Sequence, residues 1–384
     1  MANGYKGSHN IGARTMQTLT LTPAMQTLTL TPQASKTAPV RLPADIKALL
    51  ARFSLTLAGL LTDDNAKLAK GSAQALPVIL HHLPHKALAA ALTPETAGIP
   101  SRAFIPALRA MAEREGLLAK GLARNGCPWA TPGCAMGCLN WAGHGGLSGA
   151  VAAARGRRTL ALLAEPATYQ RALLWAIASH WAKAQALGLP LAVRLRGTDD
   201  HPHHLARFGV TPQESQALRL RYGLAITPGD SLNLAQALAL PMAEGSLALY
   251  DYSKAPLQGR TGLLAQREAG WDVTASLAAD RASAVADAMA AALAGFRLAA
   301  PVRLAKGQAW PVALRLTHKG QTLTLRAIPG DASDNRWLEP QGVAVILRTK
   351  VSKGADRAIA DPFSLAPVPG PQPLADGEAE LLWA

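Results

Sequence analysis

The stretch Gly188-Leu-Pro-Leu-Ala-Val-Arg-Leu-Arg-Gly-Thr-Asp-Asp200 sets the reading of the fold. The run before it, Ala167–Leu187, has helical spacing and carries Trp175 and Trp181. Gly188-Leu-Pro190 then punctuates, and Leu191-Ala-Val-Arg-Leu195 is short and apolar, the pattern of a buried strand ending at Gly197-Thr-Asp-Asp200. The cadence returns downstream: Thr211–Arg221 and Ser231–Leu240 read as helices and Ser246-Leu-Ala-Leu-Tyr-Asp-Tyr252 as a strand. Helices alternating with short buried strands predict a parallel α/β architecture. In such folds functional groups gather at the carboxyl ends of the strands, which singles out Asp199, Asp200, Asp251 and Lys254.

Working outward, residues 1–40 read as a disordered tail. There Met16-Gln-Thr-Leu-Thr-Leu-Thr-Pro23 recurs verbatim as Met25-Gln-Thr-Leu-Thr-Leu-Thr-Pro32, a cloning or start-site duplication rather than a folded repeat. Residues 41–124 read as a helical N-terminal region, with Leu and Ile three and four apart in Ala44–Thr62 and Ile105–Ala119. Residues 125–300 form the expected α/β metal-binding core, which includes an arginine-rich helix over Ser148–Leu163. From 301 to 384 the pattern is β-rich. Val312–Leu316 and Gln321–Ala327 alternate about Lys319-Gly320 as a hairpin, Val343–Arg348 is a further strand, and the last twenty residues read as loose.

The 384 residues are 49% hydrophobic, enough for a sizeable core. Lys and Arg total 39 against 25 Asp and Glu, a net charge of +14 that concentrates polyanions, so nucleic acid or a nucleotide is an expected partner beside the plainer reading of a basic soluble surface. No apolar run reaches the length of a membrane span, and the N-terminus lacks a charged-then-apolar signal pattern. A cytoplasmic protein with no membrane partner is therefore expected. The oligomeric state is not legible. Phosphate-loop, dinucleotide, metalloprotease-helix and nucleophile-elbow patterns are all missing.

The three cysteines of the chain lie together in Asn125-Gly-Cys127-Pro-Trp-Ala-Thr-Pro-Gly-Cys134-Ala-Met-Gly-Cys138-Leu-Asn-Trp-Ala-Gly-His144. Thiolates are soft ligands suited to zinc and iron–sulfur clusters, and Gly and Pro let a loop fold back so that sulfurs converge. Three readings stay open. Cys127, Cys134 and Cys138 hold an iron–sulfur cluster with one iron left open; they hold zinc with His144 as fourth ligand; or they are reduced cysteines without metal.

These motifs resemble the bacteriophage and plasmid "gene product 88"-like family, with its Cys-Pro–x5–Cys–x3–Cys loop and following basic helix. The matching residues are Cys127-Pro128, Cys134, Cys138-Leu-Asn-x-Ala-Gly143 and Ala154-Arg155-x-Arg157-Arg158-Thr159. They continue in Val193–Asp200, Leu249–Lys254 and Asp331-Ala-Ser-Asp-Asn-Arg336. That family is in turn distantly similar to radical S-adenosylmethionine barrel proteins, in which three cysteines after the first strand hold a four-iron cluster. The resemblance implies a partial (β/α) barrel-like core, a metal and, through it, S-adenosylmethionine. The spacing here, six then three residues between cysteines, departs from the three and two of that group.

Arg155 and Arg158 on the basic helix, and Arg194 and Arg196 on alternate positions of a strand, carry guanidinium forks suited to phosphate. They are candidate cofactor-binding residues; a solvated helix face or sheet edge is the plain alternative. Asp200 and Lys254 are candidate catalytic residues, Lys254 as a proton carrier or as the ion-pair partner of Asp251. Asp199-Asp200-His201-Pro-His203-His204 could hold a second metal or be an exposed loop. Together these expectations describe a phage- or plasmid-type iron–sulfur enzyme acting on nucleic acid or a nucleotide-like substrate by radical chemistry. A zinc-stabilised, non-catalytic DNA-binding or host-interacting accessory protein, or a metal-free inhibitor, are the alternatives.

Overall fold

A computed structural model describes residues 41–63, 73–84, 105–118, 126–136, 148–305, 307–349, 364–366 and 377–383. Their strands are β1 (Leu76–Ile79), β2 (Leu191–Arg194), β3 (Leu247–Ser253), β4 (Asp272–Ser276), β5 (Arg297–Val302), β6 (Ala313–His318), β7 (Gln321–Pro329), β8 (Ala344–Arg348) and β9 (Glu378–Leu382). They make one sheet in the order β1-β2-β3-β4-β5-β8-β7-β6-β9. All pairs from β1 to β7 are parallel, with Val78 opposite Val193, Ala192 opposite Ala248 and Ala300 opposite Ile346; β6 joins β7 and β9 antiparallel.

The helices are α1 (Ala44–Arg52), α2 (Ile105–Arg114), α3 (Pro132–Met136), α4 (Gly149–Ala164), α5 (Pro166–Ala186), α6 (Pro212–Tyr222), α7 (Leu234–Ala237), α8 (Ala239–Ala243), α9 (Leu263–Glu268) and α10 (Ala284–Leu293). Local chemistry starts and stops them. Ser148 caps α4, and Pro166 occupies the first turn of α5, where its missing N–H costs nothing. Thr211 and Pro212 open α6, which Gly223 closes in the left-handed conformation.

From β1 to β5 the parallel strands lie side by side in chain order, with β8 and then β7 added beyond β5, and α5, α8, α9 and α10 pack on β2, β3, β4 and β5 in turn. Over β1–β5 this is the winding of a (β/α) barrel rather than of a doubly wound sheet, whose strand order reverses at its centre. The sheet is not closed: among the described residues β1 and β9 are its two edges. A mixed α/β core of partial-barrel type is therefore present, as the sequence predicts.

Period-two alternation divides each strand between two environments. Leu191, Val193, Leu247, Leu249, Val273, Ala275, Leu298 and Ala300 join the helix-covered core. Ala192 and Tyr250 instead pack with Ala75 and Trp337, and a short 3-10 turn, Arg336–Leu338, lies against β3 and β4. This second face is polar and yet buried: Arg297 pairs with Asp272, and Arg336 with Glu339.

Several boundaries differ from the sequence reading. Ala44–Thr62 is helical only to Arg52, and the chain then turns through Ser54 at φ 50° so that Thr62 can pair with Ile79. The helical N-terminal region also contains β1. The helix expected over Ser231–Leu240 is two short ones meeting at Leu238, with Pro241 accommodated near the start of the second. The loose C-terminus contains β9, whose Leu381 is buried opposite Leu314. The N-terminal repeat lies outside the described residues.

Candidate functional site

The carboxyl ends of β2 and β3 bring the sequence-predicted residues together. After β2 the chain passes through Leu195 and Arg196 to Gly197, whose N–H donates to the Leu80 carbonyl at 2.9 Å. A Cβ at Gly197 would stand 2.7 Å from that carbonyl oxygen and 2.5 Å from His81 Nδ1, so only glycine allows the approach. Thr198, Asp199 and Asp200 follow at the strand end.

The described part of the cysteine loop is pinned onto this end by backbone contacts. The Asp200 N–H donates to the Gly126 carbonyl (2.8 Å), and the Cys127 thiol donates to the Thr198 carbonyl (3.8 Å). From beyond β4, Asp280 accepts the Gly133 N–H (2.9 Å), while Arg281 donates to the carbonyls of Trp129 (2.5 Å) and Lys254 (3.2 Å). Cys127 and Cys134 are partly buried and not joined by a disulfide.

Lys254, just beyond β3, hydrogen-bonds Cys134 and lies within electrostatic reach of Asp200 and Cys127. Burial works against its charge, but Cys134, Asp200 and Cys127 outweigh it and hold the ammonium above the ordinary lysine value. That direction suits anchoring negative charge rather than carrying a proton. Asp200 goes the other way from a free carboxylate: burial raises it, against the pull of Lys254 and Arg196.

Arg194 and Arg196 both turn to Asp251, which is 0% exposed. Arg196 Nε is 3.1 Å from Asp251 Oδ2, and its N–H donates to Oδ1 at 3.1 Å. Arg194 Nε is 3.7 Å from Oδ1; its Nη1 donates to Asp334 (3.1 Å) and its guanidinium stacks over Tyr252 at 4.6 Å. The two arginines are thus neither a solvated edge nor isolated charges, because the carboxylates of Asp251 and Asp334 compensate them. Burial nonetheless raises the Asp251 carboxyl.

Arg158 points elsewhere. Its Nε and Nη2 donate to the Gly59 carbonyl (2.9 and 2.5 Å) and its Nη1 faces the His81 carbonyl (3.4 Å), so its fork holds backbone around β1. Arg155 is buried on the same helix, where Thr159 Oγ1 donates to its carbonyl (2.9 Å). The histidine run does not converge on one point. His203 is bonded through Nδ1 to Gln170 (2.9 Å), and His204 Nε2 donates to the Arg260 carbonyl (3.1 Å). Among the described residues no group of three His, Cys, Asp or Glu side chains is placed to hold a metal. Cys138 and His144 lie outside the described residues.

Sequence reasoning missed His82 and Tyr169. His82 Nδ1 is 3.1 Å from Asp199 Oδ2 and its Nε2 is 3.0 Å from the Tyr169 hydroxyl, all buried. The strand-end rule would have marked His82 had β1 been recognised.

No helix of the described residues is long and apolar enough to cross a membrane. A family model described as gene product 88 matches residues 60–361. No curated protein and no solved structure matches the chain.

Proposed function

Since the chain belongs to the phage-type gene product 88 family, we propose that it is a metal-centred protein of that family, with Cys127, Cys134 and Cys138 holding an iron–sulfur cluster to which a nucleic acid or nucleotide-like substrate is brought. The observation that carries this reading is the meeting of Cys127 and Cys134 with Lys254 and Asp200 at the carboxyl ends of β2 and β3. The donor set fits: soft sulfurs sit in one loop between the first and second parallel strands, and a retained ammonium offsets part of the negative charge that gathered thiolates bring.

A cluster held by three cysteines supplies one-electron chemistry and an iron open to a substrate or cofactor atom. This chain's own residues would do the rest. Lys254 holds negative charge beside the sulfurs, and Asp200 fixes the loop through its N–H. Arg194 and Arg196, already balanced by Asp251 and Asp334, set the electrostatics of the neighbouring face. The sequential winding of β1–β5 and the place of the loop after β1 support S-adenosylmethionine as a co-substrate. The net charge of +14 supports a polyanionic partner.

Anaerobic purification with iron, sulfide and zinc quantification tests the reading. A brown protein with stoichiometric iron and acid-labile sulfide, both lost in Cys127→Ser, Cys134→Ser and Cys138→Ser, is expected. One colourless zinc per chain that His144→Ala releases would replace it with the zinc-stabilised accessory protein. Neither metal would end the metal reading altogether.

A further inference from the structure

Tyr169 on α5, His82 just beyond β1 and Asp199 just beyond β2 form an unbroken hydrogen-bonded row. The Tyr169 hydroxyl lies 3.0 Å from His82 Nε2, and His82 Nδ1 lies 3.1 Å from Asp199 Oδ2. Tyr169 is 0% and His82 1% exposed. Burial alone would raise the Asp199 carboxyl, but the groups facing it, Arg196 among them, hold it below the ordinary value, so it is a carboxylate and can only accept. In its neutral form His82 satisfies both neighbours with its hydrogen on Nδ1, where it donates to Asp199. Its other nitrogen, Nε2, is left with a lone pair that accepts the Tyr169 hydroxyl proton. With that tautomer every donor in the row faces an acceptor, from the Tyr169 hydroxyl through His82 to Asp199.

No substrate can touch atoms this deeply buried, which removes direct acid–base chemistry from the possible uses. An electron needs no such contact. When a phenol loses an electron it becomes a far stronger acid, and in an apolar core its proton has nowhere to go unless a base is already hydrogen-bonded to it. Here a base is in place, and a carboxylate stands behind it to hold the cation that results.

We propose that Tyr169 is a redox-active tyrosine, oxidised by one electron to a neutral phenoxyl radical as its proton passes to His82. The O–H bond of Tyr169 breaks and an N–H bond forms at His82 Nε2. The electron passes to an outer-sphere metal-complex oxidant, and the imidazolium so formed is held by Asp199. Return of one electron and that proton restores the starting state. The row also approaches the cysteine loop: Thr198 donates its hydroxyl to the His82 carbonyl (2.5 Å) and accepts at its own carbonyl from Cys127. The inference goes beyond the metal-centre reading and does not depend on it, since an external oxidant suffices.

The test uses the full chain mixed with photogenerated ruthenium(III) tris-bipyridine, freeze-trapped and read by electron paramagnetic resonance. A persistent tyrosyl signal is expected despite Tyr5, Tyr222, Tyr250 and Tyr252 elsewhere in the chain. It should be lost in Tyr169→Phe and lost in His82→Gln, each checked for native circular dichroism. A persistent signal unchanged in Tyr169→Phe overturns the assignment, and one unchanged in His82→Gln overturns the proton transfer. Should a variant not fold, double resonance on the wild-type radical decides the matter. An exchangeable proton coupled to the phenoxyl oxygen supports the row, and no such coupling overturns it.

Discussion

His203 shows how a single buried side chain sets the response of this protein to acid. Its Nδ1 is held by Gln170, its ring lies edge-on to His201 at 4.8 Å and stacks beside His82 at 5.8 Å. Burial first, and then the neighbouring His201 and His82, push its pKa well below the ordinary 6.5, so the folded protein keeps it neutral. In the unfolded chain the same imidazole takes up a proton as pH falls through its ordinary value. Below that point the unfolded state binds more protons than the native one, and stability falls as pH falls. The loss from this one group is about 1 kcal/mol between pH values of roughly 6.5 and 5.5, the slope for one differential proton. His204 and His180 are also lowered by burial and act in the same direction. Asp200, Asp251 and Glu339, raised by burial, act oppositely by gaining protons in the native state. Urea unfolding across that pH range should therefore show a decline that His203→Gln flattens; an equal slope in the variant would remove His203 as its source.

The elements divide by how much of their reason for existing is local. The α6 helix was legible because Thr211 accepts the Glu214 N–H, Pro212 opens the first turn and Gly223, at φ 72°, closes the last, all of it short-range chemistry. The β6–β7 hairpin was legible for a like reason: its strands alternate, and Lys319 and Gly320 both take positive φ at the turn. By contrast β1 was hidden, because four residues with Pro77 inside give no pattern. A proline is tolerable there since β1 is an edge strand. Equally hidden was β9, five residues in a stretch of Pro, Gly and acidic side chains, which becomes a strand only because β6 offers an edge to pair with. Its anchor is Leu381, buried opposite Leu314, with Glu380 paired to Arg315 at 3.1 Å. Leu381→Ala should cost about 2–5 kcal/mol, the range for removing a buried leucine side chain. A urea midpoint within error of wild type would show that β9 contributes nothing to the fold.

At the scale of the whole molecule, sequential winding explains why part of the site could be read before the fold was known. Once β2 and β3 are placed, whatever follows each of them must share one end of the sheet, which is how Asp200 and Lys254 were found together with the loop bearing Cys127 and Cys134. What could not be read is partnership across the chain. Arg158 looks like a phosphate ligand until Gly59, distant in sequence, supplies the carbonyl that takes its fork. Tyr169 looks like core until His82 arrives from a strand that gave no signal. The net charge of +14 is likewise a property of the whole chain, and its consequence does not depend on where any one arginine lies. A basic protein releases condensed counterions when it neutralises phosphates, so log affinity for a duplex falls linearly with log salt, at a slope set by the number of contacts. A labelled duplex of arbitrary sequence should be bound at low salt, with affinity dropping at least about tenfold between roughly 50 and 200 mM salt, even for only a few phosphates neutralised. The competing plain reading, a basic surface that serves only solubility, predicts no retention at the lower salt. A salt-independent affinity would point instead to apolar or base-edge contacts, and the charge would then have to be dropped as the reason for binding.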